Sequence, residues 1–373
     1  MRLAPASPAQ ATPARATPAA VPVRVDLSSD TQSRPTPAMR AAMAAAEVGD
    51  EQAGTDPTVN LLCARVAARL GKQAALFLPS GTMANQVAIA THCRPGDQVL
   101  AHASAHILTS EAGAQSAITG VLVQGLPGPR GQFDVATLQA VLTEPSRYAP
   151  RQRLLEVEQT ANRGGGACWP VAALLAVAAC AHAHGMATHM DGARLLNAEA
   201  ALGVPAAVQA AEFDSVWLDF TKGLGAPMGA VLAGSGAFID AAWRWKQRLG
   251  GSLRQAGIVA AGCLHALDHH VARLAQDHAR ARSLAAGMAG LPGISVEWPE
   301  TNLVFFDTAG TGMNAAAFAR GLAGHGVLVS VTGGSRARAC LHLDVDDAGV
   351  AAALAAMRAV AAGTSEVVDR FRR

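Results

Sequence analysis

The chain has 373 residues, 50% of them hydrophobic and 16% charged, with a formal net charge of +2 at pH 7. This length exceeds one ordinary core and points to a large domain with a smaller second one. No apolar run of about 18 residues free of breakers is present to span a membrane. With aromatics at 4% and no basic stripe, nothing marks a nucleic-acid-binding surface.

Residues 1–24 are rich in Ala, Pro and Thr and carry Arg2, Arg15 and Arg24 without an acid, which predicts a disordered tail. They hold no continuous apolar stretch for a secretory signal, and prolines at 5, 8, 13, 18 and 22 spoil an amphipathic transit helix. From residue 57 helix-like and strand-like segments alternate. A helix is expected over 57–70, a strand over 74–78, a helix from about 82 and a strand over 98–101. Further strands are expected at 121–124, 154–158, 186–190, 215–219 and 230–233, with helical stretches such as 134–142 and 170–184 between them. Such alternation predicts a largely parallel sheet covered by helices.

Helical periodicity dominates 235–290. After Pro292-Gly293 the pattern changes to short strands at 295–298, 303–306, 327–330 and 339–343, with helices near 313–323 and 347–361, a small α+β unit. The predicted division is a tail over 1–24, a large domain with an N-terminal arm over 25–275, a small C-terminal domain over 276–363 and a tail over 364–373.

Six cysteines, at 63, 93, 168, 180, 263 and 340, show no paired short spacing, so reduced, mostly buried thiols in a cytoplasmic protein are expected. His182/His184 and His269/His270 have no nearby carboxylate at ligand spacing on a helix face, so no metal site is expected.

Among 30 Lys+Arg only three are lysines, at 72, 222 and 246. Lys222 follows a buried strand and opens the turn Lys222-Gly223-Leu224-Gly225-Ala226-Pro227. A lysine there is open to two readings, a solvated side chain or an amine that forms a Schiff base; arginine cannot replace the latter, because its guanidinium stays protonated. Pro79-Ser80-Gly81-Thr82-Met83-Ala84-Asn85 runs from a strand into a helix start, either a simple cap or a phosphate cradle of free amides and the Thr82 hydroxyl. Asp191, in His189-Met190-Asp191-Gly192-Ala193-Arg194, stands at a strand's carboxyl end, where open α/β sheets bind ligands. It either pairs with Arg194 or keeps a pyridine nitrogen protonated. His102 and His106 follow another strand end, and one of them is placed to stack on a ring or carry a proton. Together these describe a pyridoxal phosphate site.

The segments Asp26-Leu27-Ser28-Ser29-Asp30-Thr31, Gly54-Thr55-Asp56-Pro57-Thr58-Val59-Asn60, Pro79–Asn85, Asp191–Arg194, Lys222–Pro227, Gly250-Gly251-Ser252-Leu253-Arg254-Gln255 and Leu341-His342-Leu343-Asp344-Val345 resemble low-specificity L-threonine aldolases, over about residues 25–362. The resemblance implies the fold type I, aspartate aminotransferase-like architecture of pyridoxal 5'-phosphate enzymes: a large α/β domain with a mostly parallel sheet and a small α+β C-terminal domain. It implies that Lys222 forms the Schiff base, Asp191 pairs with the pyridine nitrogen and His106 stacks on the ring. Gly81 and Thr82 would hold the phosphate, Arg194 would line the site, Ser29 and Arg338 would bind the substrate carboxylate, and Arg254 would reach a neighbouring subunit's phosphate. The implied reaction cleaves L-threonine, L-allo-threonine or related β-hydroxy-α-amino acids to glycine and an aldehyde, in a homo-oligomer, dimer or tetramer.

The chain departs from the family's pattern at Ala53, Tyr148, Ala161 and Thr221. The absence of a second active-site histidine leaves His106 or an ordered water as the base. Tyr148, the chain's only tyrosine, is either a contact to the β-hydroxyl or a larger aldehyde moiety, or an exposed loop residue. The rival readings are a phenylserine-type aldolase or β-eliminating lyase on the same fold, and a cofactor-binding protein with little catalysis. A dinucleotide-binding dehydrogenase is weaker, since the first strand–helix turn lacks G-x-G-x-x-G.

Overall fold

The computed structural model describes residues 22–371; of the tail expected over 1–24, residues 1–21 lie outside the described residues. Twelve strands follow one another along them: β1 (Val25–Leu27), β2 (Ala74–Leu78), β3 (Gln98–His102), β4 (Leu122–Leu126), β5 (Gln152–Glu158), β6 (Ala187–Gly192), β7 (Ser215–Asp219), β8 (Ala230–Gly234), β9 (Ser295–Val296), β10 (Leu303–Asp307), β11 (Val327–Gly333) and β12 (Arg336–Cys340). β2 to β8 form one seven-stranded sheet in the order β2-β8-β7-β6-β5-β3-β4. The pairs from β7 through to β4 are parallel, and β8 alone runs antiparallel to both its neighbours, β2 and β7. Every residue of β7 and of β8 is buried. That is why these strands read as continuous apolar runs rather than alternating ones: helices cover both faces of the sheet.

The helix Pro57–Leu70 shows how the local sequence sets an element. Asp56 caps it by accepting from the Val59 amide at 3.0 Å, Pro57 occupies the first turn, and Gly71 ends it in the left-handed conformation at φ 64°. Its buried stripe, Val59, Leu62, Val66 and Leu70, has helical spacing and joins the main core with Phe77, Leu100 and Leu155. Each such side chain contributes about 1.5–3 kcal/mol through burial.

A second, five-stranded sheet has the order β1-β11-β12-β10-β9 and its own core, in which Val25 and Leu27 pack with Leu284, Phe306 and Phe318. The N-terminal arm therefore adds its strand to the C-terminal sheet, β1 running parallel to β11, instead of remaining with the first sheet. β12 begins at Arg336, three residues before the expected strand. The apolar stretch read as its end is a turn, with the Leu341 amide bonded to Asn302 and the His342 ring to the Asp26 carbonyl at 2.8 Å. The last helix runs Asp347–Phe371, beyond the boundary expected at 363. No helix among the described residues is long and apolar enough to cross a membrane. All six cysteines are free, four of them buried.

Candidate active site

A cavity of about 320 Å³ opens at the carboxyl ends of β5, β6 and β7 and is closed on its other side by the segment after β1 and by Arg338 in the middle of β12. Ser29, Gly81, Thr82, His106, Asp191, Arg194, Lys222 and Arg338 all line it. Eight of the ten residues singled out in the sequence, spread over 310 positions of chain, thus converge on one site.

Lys222 is placed by the end of β7. Asp219 accepts from the amide and hydroxyl of Thr221, both at 2.8 Å, and its other oxygen pairs with the Lys222 ammonium. Ser33 donates to the Lys222 carbonyl at 2.7 Å, and Lys222 Nζ stands 5.6 Å from the centre of the Trp217 ring. The same indole explains Gly81, since a Cβ at that position would lie 2.3 Å from Trp217 Cη2. Ser80 caps the helix Gly81–His92 by accepting from the Met83 amide, and Gly81 and Thr82, its first two residues, line the cavity. The positive end of the helix is therefore turned toward the cavity.

Asp191 is buried at the cavity's base, with one oxygen accepting from Asn85 Nδ2 at 2.8 Å and the other from the Ala193 amide at 3.0 Å. Burial pushes its pKa up, against the pull of His106, Asn85 and Lys222. Arg194 is not its partner. The guanidinium forms two 2.7 Å bonds to Asp30 in a buried pair. Burial opposes the charge on Asp30, yet Arg194 holds that carboxyl below the usual carboxylate range. Asp191 thus keeps no arginine of its own and is free to meet a cation brought by a ligand.

His106 Nδ1 stands 2.8 Å from the buried Glu111 carboxylate, and that hydrogen bond raises the histidine's pKa against burial. His102 lies elsewhere, bonded to Ser104 and near the Gly128 carbonyl. Arg338 donates to Asn162 Oδ1 at 2.9 Å and to the Ser28 carbonyl at 3.0 Å, while its buried Nε has no partner. A buried donor left over on a cavity wall suits an anionic group of a ligand.

Tyr148 is not brought to the cavity, and Arg254, expected to serve a neighbouring subunit, lies outside the cavity of its own chain. Tyr148 is 91% exposed, in a loop that precedes β5 and so lies at the opposite edge of the sheet from the strand ends that bear the site. Within this chain it contacts neither a β-hydroxyl nor an aldehyde group. Arg254 is exposed and pairs with Asp50 at 3.0 Å, outside the cavity. A cavity of about 620 Å³ near Thr143–Gln152 and Ala183–Met186 also sits at that opposite edge and gathers no comparable set of groups.

Sequence reasoning passed over Asp30, Asn85, Glu111, Glu158 and Asn162. A signal existed for one of them: Glu156 and Glu158 are two apart at the buried end of β5, after Leu154-Leu155, which puts both acids on one face of the strand. His106, Glu111 and Asp191 each offer a metal-ligand type of atom, all within 4.8 Å of one another. Those atoms are already engaged by hydrogen bonds, Asn85 Nδ2 bridging Glu111 and Asp191 at 2.8 Å each.

The β-eliminating lyase family model matches residues 26–311 of this chain. The chain belongs to that family. The low-specificity L-threonine aldolase 1 of Arabidopsis thaliana is 40% identical over 85% of this chain and 91% of its own length. The low specificity L-threonine aldolase of Escherichia coli K12 is 35% identical over 86% of this chain and 94% of its own. Among solved structures, a threonine aldolase of Leishmania major superposes with a TM-score of 0.78 at 21% identity, covering 90% of this chain and 99% of that one. The family resemblance read from the sequence motifs is borne out, and so is the fold: a mostly parallel α/β sheet joined to a smaller α+β unit.

The family's cofactor fits the cavity's donor set. A neutralising acid without an arginine (Asp191), an amine at a strand end (Lys222), a helix start where any Cβ would collide with Trp217 (Gly81) and an orphaned arginine donor (Arg338) match a pyridinium, an aldehyde, a phosphate and a substrate carboxylate in turn.

Proposed function

We propose that this protein is a pyridoxal phosphate-dependent carbon–carbon lyase that cleaves L-threonine, L-allo-threonine and related β-hydroxy-α-amino acids to glycine and an aldehyde. The observation that carries the reading is the convergence of Lys222, Asp191, His106, Gly81, Thr82, Ser29 and Arg338 on one cavity. The 40% and 35% identical aldolase relatives support it.

Bound pyridoxal phosphate would supply an electron sink for the pair released at Cα. Lys222 Nζ is the amine that would hold it covalently, and Asp191, kept in place by Asn85 and the Ala193 amide, would keep its ring nitrogen protonated. Gly81 and Thr82 would take the phosphate at the helix start. His106, fixed by Glu111, would pack against the ring. Arg338 and Ser29 would bind the substrate carboxylate. Holding that carboxylate selects which bond at Cα stands perpendicular to the ring, so these residues choose the reaction by orientation as well as affinity. Arg194 acts at one remove: locked to Asp30, it ties the segment that carries Ser29 to the turn after β6.

The reading extends to a cytoplasmic homo-oligomer, a dimer or tetramer. Leu61 and Ile258, about half exposed, stand on two helices packed together beside the segment bearing Arg254, an apolar area suited to a second copy. Light scattering on the purified protein tests this, and a monomer at micromolar concentration would discard it.

The activity is tested by the absorbance of protein supplied with cofactor, followed by L-threonine and L-allo-threonine with coupled detection of acetaldehyde and glycine. A band near the visible edge that is absent in Lys222→Ala, with both products formed by the wild type, is the expected result. Ammonia and a keto acid in their place would establish the eliminating lyase, and absence of any band would remove the cofactor from the account.

A further inference from the structure

The cleavage proposed above needs a group to take the proton of the β-hydroxyl, and the cavity offers few. Asp219 is paired with Lys222 and holds Thr221, and Asp191 is taken up by the ring nitrogen in the reading above. His106 is bound to Glu111 through Nδ1, which raises its pKa, and the reading above packs its ring against the cofactor. Of the two positions where the family pattern has a histidine, Tyr148 is 91% exposed at the far edge of the sheet and Ala161 is buried in a bridge with Ala167.

Glu158 remains. It ends β5, lines the cavity and is held at both oxygens by backbone donors: Oε1 accepts from the Asn162 amide at 2.7 Å and Oε2 from the His106 amide at 3.0 Å. Each oxygen keeps a second lone pair. Asn162 in turn accepts from Arg338 at 2.9 Å, so the residue that fixes this carboxylate also touches the arginine proposed to hold the substrate.

We propose, resting on the aldolase reading, that Glu158 is the catalytic base that removes the β-hydroxyl proton as the Cα–Cβ bond breaks. The substrate O–H bond breaks and a Glu158 O–H bond forms; the oxygen's pair becomes the aldehyde C=O. The bound cofactor would serve as the sink for the pair of the Cα–Cβ bond, and Cα would then take a proton from the Lys222 ammonium to give glycine. Glu158 then loses its proton to solvent and Lys222 regains one from it, so no oxidant or further reactant enters.

The surroundings suit the task. Burial, then Asp191, push the Glu158 pKa up to about 7, against the Asn162 and His106 donors, and a base works best with a pKa near the working pH. The titratable and charged groups around it are Asp191 on β6, Glu156 on its own strand, His106 and Glu111 beyond β3, Arg194 after β6, and Lys222 and Arg338 across the cavity.

The test compares wild type and Glu158→Gln, both loaded with cofactor, with infrared difference spectra of the unloaded proteins between pH 5 and 9. Expected is a carboxyl band that titrates near neutral pH only in the wild type. Expected also is a fall in retro-aldol kcat of about 10²–10⁴-fold in Glu158→Gln, with the acidic limb of its pH profile lost while glycine still binds and exchanges its α-proton with D₂O. Cleavage within about threefold of wild type, or equal loss of glycine exchange and cleavage, overturns the assignment. Should Glu158→Gln fold poorly, Glu158→Ala with added formate replaces it: restored cleavage supports a base, and no restoration rejects it. A wild type that binds cofactor and exchanges glycine but cleaves no β-hydroxy amino acid rejects the aldolase reading itself, a result distinct from any above.

Discussion

Asn85 holds Asp191 with a single amide nitrogen that it shares with Glu111, 2.8 Å to each carboxylate, while its oxygen accepts from Trp217 Nε1 at 2.7 Å and stands 3.2 Å from His189 Nε2. One buried side chain thereby sets the acid at the base of the site, the carboxylate that steadies His106 and the indole beneath Gly81. Hydrogen bonds to charged groups are worth about 1.5–3 kcal/mol each. Asn85→Ala is expected to weaken cofactor binding by about 10–100-fold, read by titrating the unloaded protein and following absorbance, with little change in the far-ultraviolet circular dichroism.

Gly81→Ala puts a methyl group where the Trp217 ring already stands, at a calculated 2.3 Å. Neither the buried indole nor the helix start can give way freely. Loss of cofactor affinity of at least about tenfold is expected in the same titration.

Lys246 and Glu51, 195 residues apart, form a buried ion pair, and Glu51 also accepts from the Leu253 amide at 2.8 Å. Burial pushes the lysine's pKa down, with Glu51 pulling the other way. Removing one partner leaves the other charge buried and unpaired, which costs about 3–5 kcal/mol. Lys246→Met is expected to lose that much in urea unfolding, and the double variant Lys246→Met/Glu51→Leu to regain most of it.

Glu156 is buried, neither of its oxygens has a hydrogen-bond partner, and its pKa is raised well above the usual range by burial and then by Asp191, Glu158 and Glu111. A carboxyl raised in the folded state favours folding below its unfolded pKa, and that contribution is lost as pH climbs toward the folded value. Above about pH 4.3 the wild type should lose up to ~1.4 kcal/mol of stability per pH unit through this group. Glu156→Gln, which cannot ionise, is expected to flatten that slope in melting temperatures taken from pH 5 to 9.

His189 and His92 act at the other end of the scale. Burial lowers them to about 3 and about 4 respectively. Both are neutral when folded, so their contribution is present above about pH 6.5 and falls away as the medium is acidified through their folded values. Unfolding by acid is expected to begin below pH 6.5, and His189→Gln to shift that onset to lower pH.

The first sheet was legible because its inner strands are buried and bounded by turns; the predicted 74–78 and 215–219 match β2 and β7 to the residue. The site was legible where a residue's chemistry is rare, as with a lone lysine at a strand end. Pairings were not. Arg194 sits three residues from Asp191 but binds Asp30, 164 positions away, because a guanidinium takes the carboxylate its fork can meet flat on rather than the nearest one in sequence. Tyr148 was open between a substrate contact and an exposed loop residue, and the three-dimensional path decides for the loop, at the far edge of the sheet. The antiparallel β8 had a signal in its connection: ten residues join β7 to β8, too few for a parallel crossover.

The pairing of β1 with β11 has a consequence for biosynthesis. Val25 lies opposite Val327, Ser330 donates to the Ser28 carbonyl at 2.6 Å, and Arg338 to the same carbonyl at 3.0 Å. A ribosome making about 5–20 residues per second emits the first of these partners some 15–60 s before the last. Lys222, Asp191 and the Gly81 turn can assemble during that interval, while Ser29 waits for its anchor. Capture of the cofactor can therefore precede competence for substrate within a single round of translation.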